Sequence, residues 1–513
     1  MSVPHIVPPQ RPTTGPGPAP LSSAAPYQLQ LLLALAFLEA VWLWVLPLRS
    51  SFWLDELVTF WSAGKGVVPA LSRSQLFMGQ SMLYSGFIGA VVRIAGTSEL
   101  ALRLPSVLAT ALSAWLLFRL GERFFDREAG ALVVVVFVSL HDVARQATNA
   151  RPYGIALLLV VASVLQLVRW LDTGRRRNLA GFILLTAAIP YVHYLYAIFY
   201  LVLLAYALYV WRAERRVSAR NLFAAAAFIV ILLMPLAFIT IRGHKLSSSL
   251  SWAATPDAVE LVASLAPPAA LAAGLFVGIL VASFARRTPE FFRSSMPRPA
   301  NVLFVCWFAI PILTFFLVSR VSPFKIFIVR YYLPALAALA LLVGAWIRIF
   351  AAPRLRQILA ICIALGSIAS YAGFHPTQSP YREDWRGAAA AVRAANLSPT
   401  TPVLMRVGLI ETDKISWDLN LDQSSPLLSP LSKYPVPGHV ILLPYRFSPE
   451  SVAYLKEVFT RELSSADRFV LIAREDAPEF NAWMRGWFVG QGFDAAPLRQ
   501  SKGVSAYLFR RHS

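Results

Sequence analysis

Trp53-Leu54-Asp55-Glu56 sets two adjacent carboxylates a few residues beyond the first long apolar run. Three arginines recur at similar places further along: Arg103 in Leu102-Arg103-Leu104-Pro105-Ser106, Arg151 in Asn149-Ala150-Arg151-Pro152-Tyr153, and Arg330 in Ile328-Val329-Arg330-Tyr331-Tyr332-Leu333-Pro334. A carboxylate can take a proton from a hydroxyl, and a guanidinium beside a phenol such as Tyr153 or Tyr331 can grip a phosphate through charge-assisted hydrogen bonds. His193, in Pro190-Tyr191-Val192-His193-Tyr194, has two readings. It is an interfacial histidine in an aromatic belt with Tyr191, Tyr194 and Tyr196, or a donor-binding or metal-ligating group. No second His or Cys at ligand spacing supports a metal there.

Each of these features has an ordinary explanation when taken singly. An isolated Asp-Glu pair is usually a solvated loop acid, and an interfacial arginine such as Arg103 can simply snorkel to the headgroups. Carboxylates at this depth are costly, however, unless solvated, paired or used. The recurrence of guanidinium and phenol at successive helix starts, on the same side as the acid pair, favours use.

The elements that must carry these residues are membrane helices. Of 513 residues, 57% are hydrophobic and 14% charged, sorted into long apolar runs separated by arginine-rich stretches, which is membrane composition. Runs near the ~20 residues that cross a bilayer predict eleven spans, at 28–48, 101–119, 129–144, 152–171, 179–191, 194–211, 221–241, 259–284, 300–318, 332–350 and 356–374. The arginine and proline of Leu102 to Ser106 are expected to open the second, where proline costs little in a first turn. The run Gln28 to Leu48 is longer than a signal h-region and has no small-residue cleavage site before Arg49, so it reads as a retained helix.

Of the net charge of +20, only +2 lies from residue 375 onward, which leaves +18 in membrane loops. A basic excess so placed reads as topology and headgroup contact, and it argues against nucleic acid as a partner. Five alternate loops carry 18 basic residues: Arg119, Arg123 and Arg127; Arg169 and Arg175 to Arg177; Arg212, Arg215, Arg216 and Arg220; Arg286, Arg287, Arg293 and Arg298; Arg348, Arg354 and Arg356. The intervening loops carry few, among them Arg242, Lys245, Arg320 and Lys325. The asymmetry predicts a multi-pass protein of the inner (plasma) membrane with its N-terminus cytoplasmic and its C-terminus outside.

Residues 1–26, rich in Pro, Ala and Ser, read as a disordered tail, and 27–374 as the membrane domain. Within the latter, 49–100 forms a first outer loop whose half-apolar pieces, Val58 to Met78 and Met82 to Ala95, are expected to lie at the outer membrane surface. From 375 to 513, β-prone runs at 402–405, 439–443 and 468–472 alternate with helical segments at 384–396, 449–463 and 478–490. That alternation predicts a small extracytoplasmic α/β domain. Asp384-Trp385-Arg386 reads as a helix cap with an interface contact. Cys306 and Cys362 fall within predicted spans and carry no disulfide argument.

In this order, the acid pair after the first span, Arg-Leu-Pro-Ser at the second, Ala-Arg-Pro-Tyr at the fourth and Arg-Tyr before a late span, the chain resembles the GT-C membrane glycosyltransferases of the family 39 type. These include protein O-mannosyltransferases and bacterial lipid A aminoarabinose transferases. The resemblance covers about residues 30–350 and is strongest from 50 to 200. It implies a polytopic helical GT-C fold and transfer of a sugar from a polyprenyl-phosphate donor to a lipid, glycan or protein acceptor on the outer face, with Asp55 as the catalytic carboxylate. Where relatives often read His-Pro-Pro-Leu-Tyr or Lys-Pro-Pro-Leu-Tyr, this chain has Gln80-Ser81-Met82-Leu83-Tyr84. A residue that helps hold donor phosphate or acceptor in some members is therefore missing.

The residues themselves agree with that implication. A lipid phosphate is already a good leaving group, so the protein must supply a base for the acceptor hydroxyl and cations for the departing phosphate. Asp55 suits the first role, and Arg330 with Arg151 or Arg103 the second. Glu56 can orient Asp55, bind the acceptor or raise its neighbour's proton affinity by like-charge repulsion. No cofactor is called for, and a divalent metal stays open. The rival class is a transporter or lipid flippase with a partner-binding outer domain, which ordinarily carries its ionisable groups near the midplane. A non-catalytic scaffold is the third class, and it has no need of the acid pair.

Overall fold

A computed structural model describes residues 26–74, 81–214, 217–242, 253–284, 296–371, 381–415 and 425–512. All but the last residue of the tail expected over 1–26 lies outside the described residues, as do Gln80, the end of the Val58 to Met78 piece, Arg215, Arg216, Lys245, Arg286, Arg287, Arg293 and the domain boundary expected at 374/375.

Apolar helices dominate up to Tyr371, and among the described residues six are long and apolar enough to cross a membrane: 27–49, 99–124, 153–173, 194–214, 219–238 and 298–321. Shorter helices at Arg127–Ser139, Arg176–Val192 and Leu333–Ile349, and the helix Pro353–Tyr371, pack among them. Two expected spans prove to be broken. The one predicted at 259–284 is a pair of helices, Ala258–Leu265 and Ala269–Phe284, because Pro267 and Pro268 between them have no N–H to continue the ladder. The one predicted at 129–144 ends at Ser139, and a short helix His141–Ala147 restarts beyond Leu140, whose extended backbone interrupts it.

The second span also begins differently from expectation. Ser98 caps the helix by accepting from the Ala101 N–H at 3.2 Å, so it runs Glu99–Phe124 and Pro105 sits inside rather than in the first turn. Against it lies Tyr153–Thr173, approached so closely at Gly154 that a Cβ there would stand 3.0 Å from the Ser106 carbonyl oxygen. This contact brings the turn carrying Arg151 down beside Arg103.

The loop predicted to lie at the surface folds as three helices, Leu54–Ala63, Val67–Arg73 and Met82–Ala95. Charged groups gather at the two ends of the bundle. At one end Arg356 donates to Glu128 at 2.7 and 2.9 Å and Arg348 to Asp126 at 2.7 Å, while Arg123 pairs with Asp172. These residues belong to three of the loops predicted to share the cytoplasmic side. At the other end Asp55, Glu56, Arg103, Arg151 and Arg330 converge. One acid departs from this pattern: Glu39, 1% exposed within the first span, accepts from the Ser139 hydroxyl at 3.0 Å.

The C-terminal part folds around a five-stranded sheet of order β2-β1-β3-β5-β4, with β1 Pro402–Arg406, β2 His439–Leu442, β3 Arg468–Arg474, β4 Phe493–Arg499 and β5 Val504–Arg511. β1 lies parallel to β2 and β3, with Val403 opposite Val440 and Val470, whereas β5 is antiparallel to β3 and β4. Both faces are covered. Leu404, Phe469 and Leu471 pack under the helices Pro449–Val458 and Pro478–Gly490. Val403, Met405, Val470 and Ile472 face the other way, into one apolar core with the helix Trp385–Ala394 and with Phe52, Leu54, Leu57 and Val58 of the first outer loop. The acid-bearing helix and the C-terminal sheet thus share a core.

Candidate active site

The helix Leu54–Ala63 begins at Trp53, whose extended backbone places Asp55 and Glu56 in the first turn. Successive helix residues point about 100° apart, and the two neighbouring acids accordingly meet different surroundings. Glu56 points inward and is fully buried, accepting from Arg103 Nε at 2.7 Å, Arg103 Nη2 at 2.5 Å, the Ala150 N–H at 2.8 Å and the Trp53 N–H at 3.2 Å. One carboxylate therefore ties together the start of its own helix, the second span and the turn immediately before Arg151.

Arg103 cannot take the phosphate-binding role expected of it. It is 1% exposed, and the N–H groups not directed at Glu56 go to the carbonyls of Leu48, Ser50 and Ser51 at 3.0, 2.9 and 3.0 Å and to the Ser50 hydroxyl at 2.9 Å. Its guanidinium is spent on shaping the 47–51 turn beneath the site, and the snorkelling reading fails for the same reason. Glu56, fully buried and accepting from four N–H groups, is occupied within the protein.

Asp55 points the other way, with its side chain about a quarter exposed. Arg330 Nη1 donates to Asp55 Oδ2 at 3.2 Å, Arg151 Nε stands 4.0 Å from the same oxygen, and Arg151 Nη1 reaches the Asp55 carbonyl at 3.4 Å. Two guanidiniums thus converge on one carboxylate, an arrangement that can also receive an anion.

Arg330 lies in a short 3-10 turn, Val329–Tyr331, fixed by the Tyr196 hydroxyl donating to the Arg330 carbonyl at 2.9 Å, and it covers the Tyr331 ring at 5.4 Å. Tyr153, Tyr196 and Tyr331 surround His193, with ring centroids 5.2, 4.6 and 5.8 Å away. His193 is therefore buried at the site and not exposed in an aromatic belt. Burial, with Arg151 and Arg330 nearby, pushes its pKa down to about 3, so it is neutral at physiological pH. Among the described residues its Nδ1 has no hydrogen-bond partner, nor has the Tyr84 hydroxyl, which is buried beside Arg151 and Tyr153. No three His, Cys, Asp or Glu side chains come together at metal-binding range among the described residues.

The C-terminal segment supplies neighbours that no local pattern signalled. Tyr381 stacks on Trp53, centroids 3.8 Å apart and planes 9° from parallel, and its hydroxyl accepts from Gln146 Nε2 at 3.0 Å. Asn149 Oδ1 accepts from Trp53 Nε1 at 3.0 Å. Asp384 caps its helix by accepting the Gly387 N–H at 2.9 Å, and Arg386 contacts Ser51 Oγ and the Arg49 carbonyl at 3.1 and 3.0 Å. Both the cap and the interface contact read from Asp384-Trp385-Arg386 are thus present.

Residues 80–239 match the family model described as dolichyl-phosphate-mannose-protein mannosyltransferase. The structure of ArnT from Cupriavidus metallidurans in the apo state is 14% identical with a TM-score of 0.51, over 95% of this chain and 98% of that one. The same protein bound to undecaprenyl phosphate gives 13% and 0.52, over 94% and 98%. A comparison with curated proteins found no match. The whole-length likeness establishes the fold, and the matched segment contains Arg103, Arg151, Tyr153 and His193. The chain thus has an ArnT-like fold, and its residues 80–239 are similar to the mannosyltransferase family model.

Proposed function

We propose that the chain transfers a sugar from a polyprenyl-phosphate-linked donor to an acceptor hydroxyl on a lipid, glycan or protein at the extracytoplasmic face, with Asp55 as general base. The observation that carries this reading is Asp55 held at 3.2 Å by Arg330 with Arg151 beside it. A donor phosphate entering there meets both guanidiniums and competes with Asp55 for Arg330. That competition frees the carboxylate to take the acceptor's proton as the phosphate leaves, and the positive charge stabilises the leaving group where its charge develops. Tyr331, Tyr153 and neutral His193 line the phosphate pocket, with His193 Nδ1 available to a substrate hydroxyl. An apolar groove of about 490 Å³, lined by Phe87, Leu104, Leu108, Ile155 and Leu158, lies between the helices that present Tyr84, Arg103 and Tyr153 and suits a prenyl chain.

The experiment is a transfer assay on the purified protein in lipid, offered radiolabelled polyprenyl-phosphate sugars. Arg330→Ala removes a charge-assisted contact of about 1.5–3 kcal/mol, so donor affinity should fall roughly 10- to 100-fold. Unchanged donor affinity and turnover in this variant remove Arg330 from the phosphate site. The transporter reading predicts movement of lipid-linked sugar without any bond formed to an acceptor, which the same assay separates by product.

The site must lie on the outer face for this chemistry. Reporter fusions at 376 and 176 should report extracytoplasmic and cytoplasmic locations respectively, as the arginine asymmetry requires. A cytoplasmic signal at 376 overturns the orientation and the outer site with it.

A further inference from the structure

The stretch from Arg49 to Leu54, which leads into the acid helix, is gripped almost residue by residue from far along the chain. Arg386 holds the Arg49 carbonyl and the Ser51 hydroxyl, the Tyr434 hydroxyl accepts the Phe52 N–H at 3.0 Å, Tyr381 stacks on Trp53, and Glu383 Oε2 accepts the Leu54 N–H at 2.9 Å. Leu54 is the first residue of the helix, so its N–H is one of the donors that the helix itself cannot satisfy. Asp55 follows directly.

Glu383 is built into place. It is 4% exposed, and besides Leu54 it accepts from Trp385 Nε1 at 2.8 Å and from Arg474 Nε, at the end of β3, at 2.9 Å. The residue before it, Arg382, has a φ of +60°, a left-handed conformation that is strained for a side-chain-bearing residue and persists only where the surroundings impose it. Gly503 makes that conformation possible, since a Cβ there would fall 2.5 Å from the Arg382 carbonyl oxygen and 2.7 Å from the Glu383 Cα. The backbone is bent between a glycine and the sheet so that one carboxylate reaches the first N–H of the acid helix.

We propose that Glu383 is a positioning residue for Asp55, through which the C-terminal domain forms part of the catalytic unit. It touches no reacting atom. It fixes the first turn of the acid helix through the Leu54 N–H while Glu56 accepts the Trp53 N–H, so that two buried carboxylates hold the two backbone N–H groups immediately before Asp55. Among the described residues the partners of Glu383 are Leu54, Trp385 and Arg474, and not the residues proposed to meet the donor phosphate. Loss of Glu383 should therefore act on the chemical step and spare donor binding. This inference rests on the proposed function.

The test compares Glu383→Ala and Glu383→Gln, with Arg499→Ala, which removes only the neighbouring exposed pair to Asp384, as control. Turnover, donor KM, melting temperature in lipid and amide exchange over residues 49–58 are measured on the full chain. Displacement of a catalytic group by about 1 Å can cost on the order of 100-fold in rate, so Glu383→Ala should lose about 10- to 100-fold in kcat while donor KM changes less than about threefold. Glutamine keeps an oxygen for the Leu54 N–H, and Glu383→Gln should recover most of the turnover. Exchange over 49–58 should accelerate in the alanine variant and not in the control. The proposal is overturned if the alanine variant turns over like wild type per folded molecule, or if alanine and glutamine variants lose activity in parallel with melting temperature. Should the wild type itself transfer no sugar, the proposed function fails. Exchange over 49–58 then decides the positioning role of Glu383 alone, and protection unchanged in Glu383→Ala overturns it.

Discussion

Asp55→Asn should abolish measurable transfer while leaving the fold and donor binding in place. The side chain is about a quarter exposed and bonded to Arg330, and Asn reproduces its shape and still offers Arg330 a carbonyl oxygen. What Asn cannot do is accept the acceptor's proton, and loss of a positioned general base typically costs ~10²–10⁴-fold in rate. Donor affinity should hold or tighten slightly, because removing a negative charge leaves Arg330 and Arg151 with more attraction for the phosphate. Turnover, donor affinity and melting temperature in lipid, measured on the same preparation, separate the possibilities. Wild-type turnover removes Asp55 from the chemistry, and a parallel fall in turnover and melting temperature makes it structural.

The acid pair and the arginines could be recognised before their geometry was known because each stands at the end of an apolar run, and the ends of spans are where the sequence is most legible. The alternation of sides then follows from the bilayer itself, and it places Asp55, Arg151 and Arg330 together although 275 residues separate the first from the last. The direction in which each side chain points was not legible. Arg103 and Arg151 open comparable motifs, but one is consumed by Glu56 and the 47–51 turn while the other flanks Asp55. That difference depends on which carbonyls the packing leaves unsatisfied. Adjacent acids look equivalent in a string and are made different by a helix whose start is set at Trp53.

Similar limits apply elsewhere in the chain. Three strands announced themselves by apolar β-branched runs. β4, Phe493–Arg499, contains Asp494, two alanines and Pro497, and forms only because β5 offers it an edge. Glu39 was lost inside an apolar run because its Ser139 partner lies 100 residues away. Glu383 had no local signature either, its contact with Leu54 bridging 329 residues.

Breaking the Glu56–Arg103 pair should be the most destabilising single change at the site. Arg103→Met keeps much of the apolar length but leaves the fully buried Glu56 without its cation, and leaving one partner of a buried pair uncompensated in this way costs about 3–5 kcal/mol. The carbonyls of Leu48, Ser50 and Ser51 lose their donors in the same step, which adds to the cost. Glu56→Gln alone strands the opposite charge, yet those carbonyls still share the guanidinium, so it should cost less. The double variant leaves no lone buried charge, and its destabilisation should fall short of the sum of the two by about 0.5–3 kcal/mol, the coupling expected of groups in direct contact. Unfolding of the three variants in matched lipid or detergent measures this directly. Strict additivity would mean that the pair contributes no mutual stabilisation, and normal stability in Arg103→Met would show that Glu56 is neutralised some other way. Activity adds a second discrimination, because Glu56 also fixes the Ala150 N–H at 2.8 Å and with it the turn that carries Arg151. If that link matters, Glu56→Gln, which keeps an acceptor for Ala150, should retain more turnover than Glu56→Ala even when the two are equally destabilised.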